Sequence, residues 1–150
     1  MLAYADTSAL IAYFYPNDAF TASVMKAAQR GAPDFVYWPF LRFELRHNLR
    51  MLRGDSYGEI AWRALRAAER TSARLRWQGE LTVDKVLDAA EELSAEKALE
   101  TDSGSSDVLH VAAARRISLI SELDEFWTCD KSQAVLARLA GLKTRLFEIK

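Results

Sequence analysis

The feature that most constrains this chain is a repeated change of period: short apolar runs rich in β-formers alternate with longer stretches of helical spacing. Leu2–Ala5 reads as a first strand, and a helix starts near Thr7 and breaks at Pro16 and Asn17. A second helical pattern, over 18–30, sets Phe20, Val24, Ala27 and Ala28 on one side and ends at Gly31. Residues 35–38 predict a second strand. Pro39 suits the first turn of the next helix, which runs to about Arg53 with a stripe of Leu41, Leu45, Leu49 and Leu52. After a break at Gly54-Asp55-Ser56 a long helix is expected from Tyr57 to about Trp77, and another over 83–99. The polar segment 101–106 precedes a helix over 107–116, and strand-like stretches at 126–129 and 144–149 flank a helix over 131–139. Strands alternating with helices predict an α/β fold: a three-layer α/β/α sandwich around a central, mostly parallel sheet. Neither repeats nor a linker interrupts the pattern, so residues 1–150 are expected to form one domain.

Composition narrows the function classes. Half of the residues are hydrophobic, enough for a real core, and 20 Lys and Arg face 21 Asp and Glu for a net charge of −1. A strongly basic nucleic-acid binder is excluded; a local basic face is not. A single cysteine, Cys129, excludes a disulfide framework and a multi-cysteine zinc site, and two histidines leave little for a His-rich metal centre. The N-terminus has no basic leader and no apolar run reaches the ~18–20 residues of a membrane span, which predicts a cytoplasmic protein.

In open α/β sheets, ligands sit outside the carboxyl ends of the strands, so acids placed directly after strands draw attention. Asp6 follows the first strand in Ala5-Asp6-Thr7-Ser8, and Asp130 follows a late one in Thr128-Cys129-Asp130-Lys131. Each is also a good helix N-cap, and Asp130 with Gln133 has capping-box spacing. Glu44 lies beside the leucine stripe of its helix, where a carboxylate is costly unless it is paired or binds a cation. Asp107 opens a helix of small residues, Asp107-Val108-Leu109-His110-Val111-Ala112-Ala113-Ala114, although an acid in a first helical turn is also a common structural feature.

The ordered set resembles the PIN-domain nucleases, most closely the VapC-type toxins of toxin–antitoxin pairs. The pieces that carry the resemblance are Asp6-Thr7-Ser8, Glu44 between Phe43 and Leu45, Asp107 with His110 and the alanine run, and Thr128-Cys129-Asp130. It spans residue 2 to about 149. It implies a metal-dependent endoribonuclease in which Asp6, Glu44, Asp107 and Asp130 hold Mg²⁺ or Mn²⁺, with Ser8 and Thr128 orienting them. It further implies an RNA substrate, a cognate antitoxin, a homodimer and no membrane. Asp102 and the cluster of Glu122, Asp124 and Glu125 are nearby alternatives for the later acids. Crowded carboxylates repel and raise one another's pKa, and a hard cation relieves this while activating a water for in-line attack on phosphorus. Were four acids gathered on a metal, 20 positive residues would face 17 remaining acids, a surface compatible with RNA.

Arg42 and Arg46, on the helix of Glu44, are the arginines expected to contact substrate, whereas Arg63, Arg66, Arg70 and Arg74 read more simply as a solvated face. Trp62 lies off the apolar stripe read as Ile60, Ala64, Ala68 and Leu75, and so is a candidate partner anchor. Cys129 is expected to be a small buried residue, and His110 a structural hydrogen-bonding group. Two rivals remain. A phosphotransfer or phosphatase-type α/β domain would want Asp-x-Asp, or an acceptor Asp after a middle strand, where this chain has Asp6-Thr7-Ser8 and Pro39-Phe40. A non-catalytic binding module could use the same fold.

Overall fold

A computed structural model describes residues 1–149, with the side chains of 98 and 99 left aside; Lys150, the end of the expected domain span, and the side chain of Leu99, the end of an expected helix, lie outside the described residues. In chain order the elements are β1 (Leu2–Ala5), α1 (Thr7–Phe14), α2 (Thr21–Gly31), β2 (Asp34–Tyr37), α3 (Pro39–Met51), α4 (Ser56–Thr71), β3 (Leu75–Trp77) and α5 (Val83–Leu93). A π-helical turn (Ser94–Ala98) and a short α6 (Leu99–Thr101) follow, then α7 (Ser105–Ile120), β4 (Glu125–Thr128), α8 (Lys131–Leu139) and β5 (Thr144–Leu146).

All strand pairs are parallel, in the order β3-β2-β1-β4-β5. Helices α1 to α4 pack on one another, α5 packs on α7, and α7 packs on α8. The sheet is thus the middle of three layers, as the alternation of periods requires for strands buried on both faces. Its central strands show this directly: Ala3, Tyr4, Phe35, Val36, Phe126 and Trp127 are all fully buried. The stripe of α3 is also as expected at Leu41, Leu45 and Leu49, with Leu52 half-buried beyond the helix end.

One strand departs from the sequence expectation. The helix expected to reach Trp77 stops at Thr71, and Leu75-Arg76-Trp77 pairs with β2 as an edge strand. The break needs neither glycine nor proline: Ser72 and Arg74 take left-handed backbone angles, φ 53° and 62°, and turn the chain into the sheet. The stripe of α4 changes accordingly. Gly58, Ala61 and Leu65 are its buried residues, while Ile60 is 53% exposed. Gly58 is the reason the helix packs so closely, because a Cβ there would lie 1.7 Å from the Leu52 carbonyl oxygen. Trp62 is half-buried, with the guanidinium groups of Arg50 and Arg53 over its ring at 5.0 and 5.4 Å.

Other boundaries move less. The helix expected over 18–30 begins at Thr21, and that expected over 83–99 gives way at Ser94 to the π-helical turn. The helix expected from Asp107 starts two residues earlier, at Ser105, and continues to Ile120. The last strand is confined to Thr144–Leu146.

Candidate functional site

From β1 the chain steps outward through β2 to β3, then returns to lay β4 on the opposite side of β1. The order therefore reverses between β1 and β4, and the crevice outside their carboxyl ends is where this architecture places ligands. Asp6 is the residue after β1; Thr128 closes β4, and Asp130 caps the helix that follows. Two sequence-flagged acids thus meet because their strands are neighbours.

The contacts are short and specific. Asp6, 3% exposed, accepts from the Ala9 amide at 2.8 Å and the Ser8 hydroxyl at 2.7 Å on Oδ1, and from the Thr128 hydroxyl at 2.6 Å on Oδ2. Ser8 Oγ in turn accepts from the Cys129 amide at 3.0 Å, and Thr128 Oγ1 accepts from the Asp130 amide at 3.0 Å. Ser8 and Thr128 thereby tie the two strand ends together around the carboxylate. Asp130 Oδ1 accepts from the Gln133 amide at 2.8 Å and so caps α8. The Gln133 side chain is fully buried and lies between Thr128 Oγ1 (2.9 Å) and Asp107 Oδ1 (3.4 Å), linking α7 to α8. Capping-box spacing flagged Gln133, but its side chain reaches across the site rather than back to its own cap.

Glu44 meets the site from α3. Its Oε2 accepts from the Thr7 hydroxyl at 2.7 Å and from His110 Nε2 at 2.5 Å. The partner of this carboxylate is therefore His110. Behind it runs a buried relay: Trp38 Nε1 donates to Tyr4 Oη at 2.8 Å, which lies 2.8 Å from His110 Nδ1. Tyr4 has one hydroxyl hydrogen, and with its lone pairs serving Trp38 that hydrogen goes to Nδ1. Every group is then satisfied when His110 carries its proton on Nε2 and donates it to Glu44. Tyr4 and Trp38 are members that sequence reasoning missed, because their partners lie far off in the chain.

Electrostatics separate the four acids. Burial pushes the Asp6 carboxyl above its usual range, against the opposing hydrogen bonds from Thr128 and Ala9. Burial likewise raises Asp107, opposed by the Gly104 amide and reinforced by the charges of Asp130 and Glu44. For Glu44 burial acts upward too, but the His110 and Thr7 hydrogen bonds outweigh it and hold the carboxyl low. Cys129 is half-buried rather than buried, and burial together with the charge of Asp6 pushes its thiol up to about 12, so it is no nucleophile.

The remaining sequence candidates fall elsewhere. Arg46 makes a bidentate pair with Glu69, at 2.9 and 2.8 Å, and Arg42 lies over the Trp77 ring at 4.8 Å, both on a different side of α3 from Glu44. Asp102 is exposed in a left-handed turn, and Asp124 accepts from the Leu2 amide at the opposite end of the sheet. Glu122 is exposed in the stretch between α7 and β4. Glu125, at the start of β4, is a structural anchor held by both nitrogens of Arg145 (2.7 and 2.9 Å) and by Trp127 Nε1 (2.8 Å). The Arg145 hydrogen bonds set its pKa at about 2, down from 4.5. A lowered carboxyl adds stability that is present above pH 4.5 and is lost as pH falls through about 2. Glu125→Gln is thus expected to destabilise by on the order of 2 kcal/mol at pH 7, with the deficit against wild type shrinking toward pH 2, as read by urea unfolding at both pH values.

Among the described residues, no group of three His, Cys, Asp or Glu side chains stands ready as a metal cluster. Thr128 and Gln133 link Asp6 to Asp107 and Asp130, and Glu44 is held by His110. None of the helices is long and apolar enough to cross a membrane, among the described residues.

No known family profile and no curated protein matches the sequence. Among solved structures, a chain in the crystal structure of VapBC2 from Rickettsia felis bound to a DNA fragment from their promoter matches with a TM-score of 0.61, covering 99% of this chain and 100% of that one at 13% identity. The fold is PIN-like.

Proposed function

We propose that the chain is a metal-dependent endoribonuclease and the toxin of a toxin–antitoxin pair, acting in the cytoplasm. The observation that supports this reading is that Asp6, Glu44, Asp107 and Asp130 come from four separate elements at the carboxyl edge of a PIN-like sheet, with the charges of Asp130 and Glu44 acting on Asp107. The donor set is all carboxylate oxygen, which suits Mg²⁺ or Mn²⁺ rather than a softer ion. The hydrogen bonds to Glu44 fall on Oε2 and those to Asp130 on Oδ1, which leaves Oε1 and Oδ2 to face a ligand. Such an ion would supply charge stabilisation at phosphorus and a more acidic water.

The chain's own groups do the rest. Ser8 and Thr128 fix both oxygens of Asp6, and His110 and Thr7 keep Glu44 ionised for cation binding. Burial and the charges of Asp130 and Glu44 hold the Asp107 carboxyl above its usual range, a cost that a bound cation would relieve. No side-chain nucleophile is needed. A cognate antitoxin and a second copy of the chain are the partners this reading carries with it. Phe43, Met51 and Ile60, all more than half exposed on α3 and α4, supply apolar surface for such contacts.

The test is cleavage of structured RNAs by wild-type protein with and without EDTA. Loss of cleavage in EDTA and its recovery on adding Mg²⁺ or Mn²⁺ is expected. Cleavage that persists in EDTA would refute the metal-dependent mechanism.

A further inference from the structure

Away from the acids, the same carboxyl edge of the sheet carries a second, oppositely charged cavity. Tyr37 closes β2 and Trp77 closes β3 in adjacent register, with their rings in edge contact at 5.9 Å. With Arg42 and Arg46 of α3 and Arg66, Glu69 and Arg70 of α4 they line an open cavity of about 410 Å³. Four guanidinium groups against one carboxylate leave this cavity strongly positive, in a chain whose net charge is −1.

The cavity is built, not incidental. Glu69 has only 10% of its side chain exposed and accepts from Tyr37 Oη at 2.6 Å, from Arg46 at 2.9 and 2.8 Å and from Arg66 at 2.6 Å. One carboxylate therefore holds two guanidinium groups in place, an arrangement that costs desolvation and stabilises weakly unless something uses it. Arg70 is exposed on the next turn, and Arg42 stacks on Trp77, whose ring is still 49% exposed. Fixed guanidinium groups beside a part-exposed indole match a ligand with both a phosphate and a flat ring. An acidic peptide would use the charge and leave the indole idle.

We propose that this cavity is a subsite for one nucleotide of a single-stranded RNA, its base stacked on Trp77 and its phosphate held by Arg42 and Arg70. Two to three inter-strand spacings, about 10–14 Å, separate the ends of β3 from those of β1 and β4, so one strand can occupy both the cavity and the acidic crevice. The choice of RNA rests on the nuclease reading above; the nucleotide chemistry of the cavity does not.

The test measures binding without cleavage: anisotropy of a fluorescein-labelled single-stranded oligouridine against the purified full chain in EDTA, over a range of salt. Trp77→Ala should weaken binding about 5- to 100-fold. Arg70→Ala, on an exposed helix position where folding is not at issue, should weaken it and lower the salt slope by about one. Unchanged affinity in both variants overturns the subsite, even if the chain cleaves RNA. Binding of polyglutamate as tight as that of RNA, and indifferent to Trp77→Ala, overturns it as well. Trp77-dependent binding by a chain that never cleaves RNA would uphold the subsite while refuting the nuclease reading.

Discussion

Asp6→Asn is expected to lower RNA cleavage by about 10²–10⁴-fold while leaving the fold intact. The asparagine keeps a carbonyl oxygen for the Ala9 amide and the Ser8 hydroxyl. Its new amide can donate to Thr128 Oγ1, whose own hydrogen then turns to Gln133 Oε1, already 2.9 Å away. What disappears is a charge that burial disfavours. Because the Asp6 carboxyl sits above 3.8 in the folded chain, its stabilising contribution is present below that value and fades as pH rises through the raised one. The variant is free of this penalty, so its stability relative to wild type should improve between pH 4 and pH 7. Urea unfolding at both pH values, beside the cleavage assay, checks the two halves separately. A variant that cleaves normally would remove Asp6 from the chemistry, and one that unfolds would make it chiefly a cap.

His110→Ala should have the largest effect on stability. His110 is 2% exposed, packs edge-on against Tyr4 at 5.9 Å, and joins the Tyr4 hydroxyl to Glu44. Its removal leaves a cavity, a buried tyrosine hydroxyl without its acceptor, and a Glu44 carboxylate stripped of its strongest donor. A loss of about 2–4 kcal/mol is expected, which for a chain of 150 residues lowers Tm by roughly 5–15 °C. Cleavage should fall too, because the Glu44 carboxyl would return toward its ordinary range and lose its fixed rotamer. Tyr4→Phe discriminates: it breaks the relay one step further back and keeps the His110–Glu44 contact. It should therefore cost stability and spare most of the activity.

Much of this was legible in the residues. Four of the five strands, the α3 stripe and the start of every major helix lie within a few positions of where period and breakers put them, because buried parallel strands and amphipathic helices leave strong patterns. β3 was not legible. A three-residue strand has no alternation to read, and the turn ahead of it uses Ser72 and Arg74 in left-handed geometry where glycine would have been the signal. The same omission hid the cavity at Trp77, whose indole was assigned to a helix. At the acids, positions after strands and the family resemblance single out Asp6, Glu44, Asp107 and Asp130 but not what holds them. The Tyr4–His110–Glu44 relay joins residues 106 and 66 positions apart, and no local period encodes that. Arg46 is another case: sequence places it beside Glu44, whereas its partner in space is Glu69 on α4.

In a parallel sheet whose helices run back against the strands, α1, α3, α7 and α8 all begin at the carboxyl edge. Each helix N-terminus carries roughly half a positive charge in its unpaired amides; Asp6 and Asp130 cap two of them, and Asp107 sits in the first turn of a third. The fold therefore brings its own partial counter-charge to the place where it crowds carboxylates. Such a chain does not need a cation in order to fold. Divalent ions should raise its Tm only by mass action on an already native state, in step with their concentration.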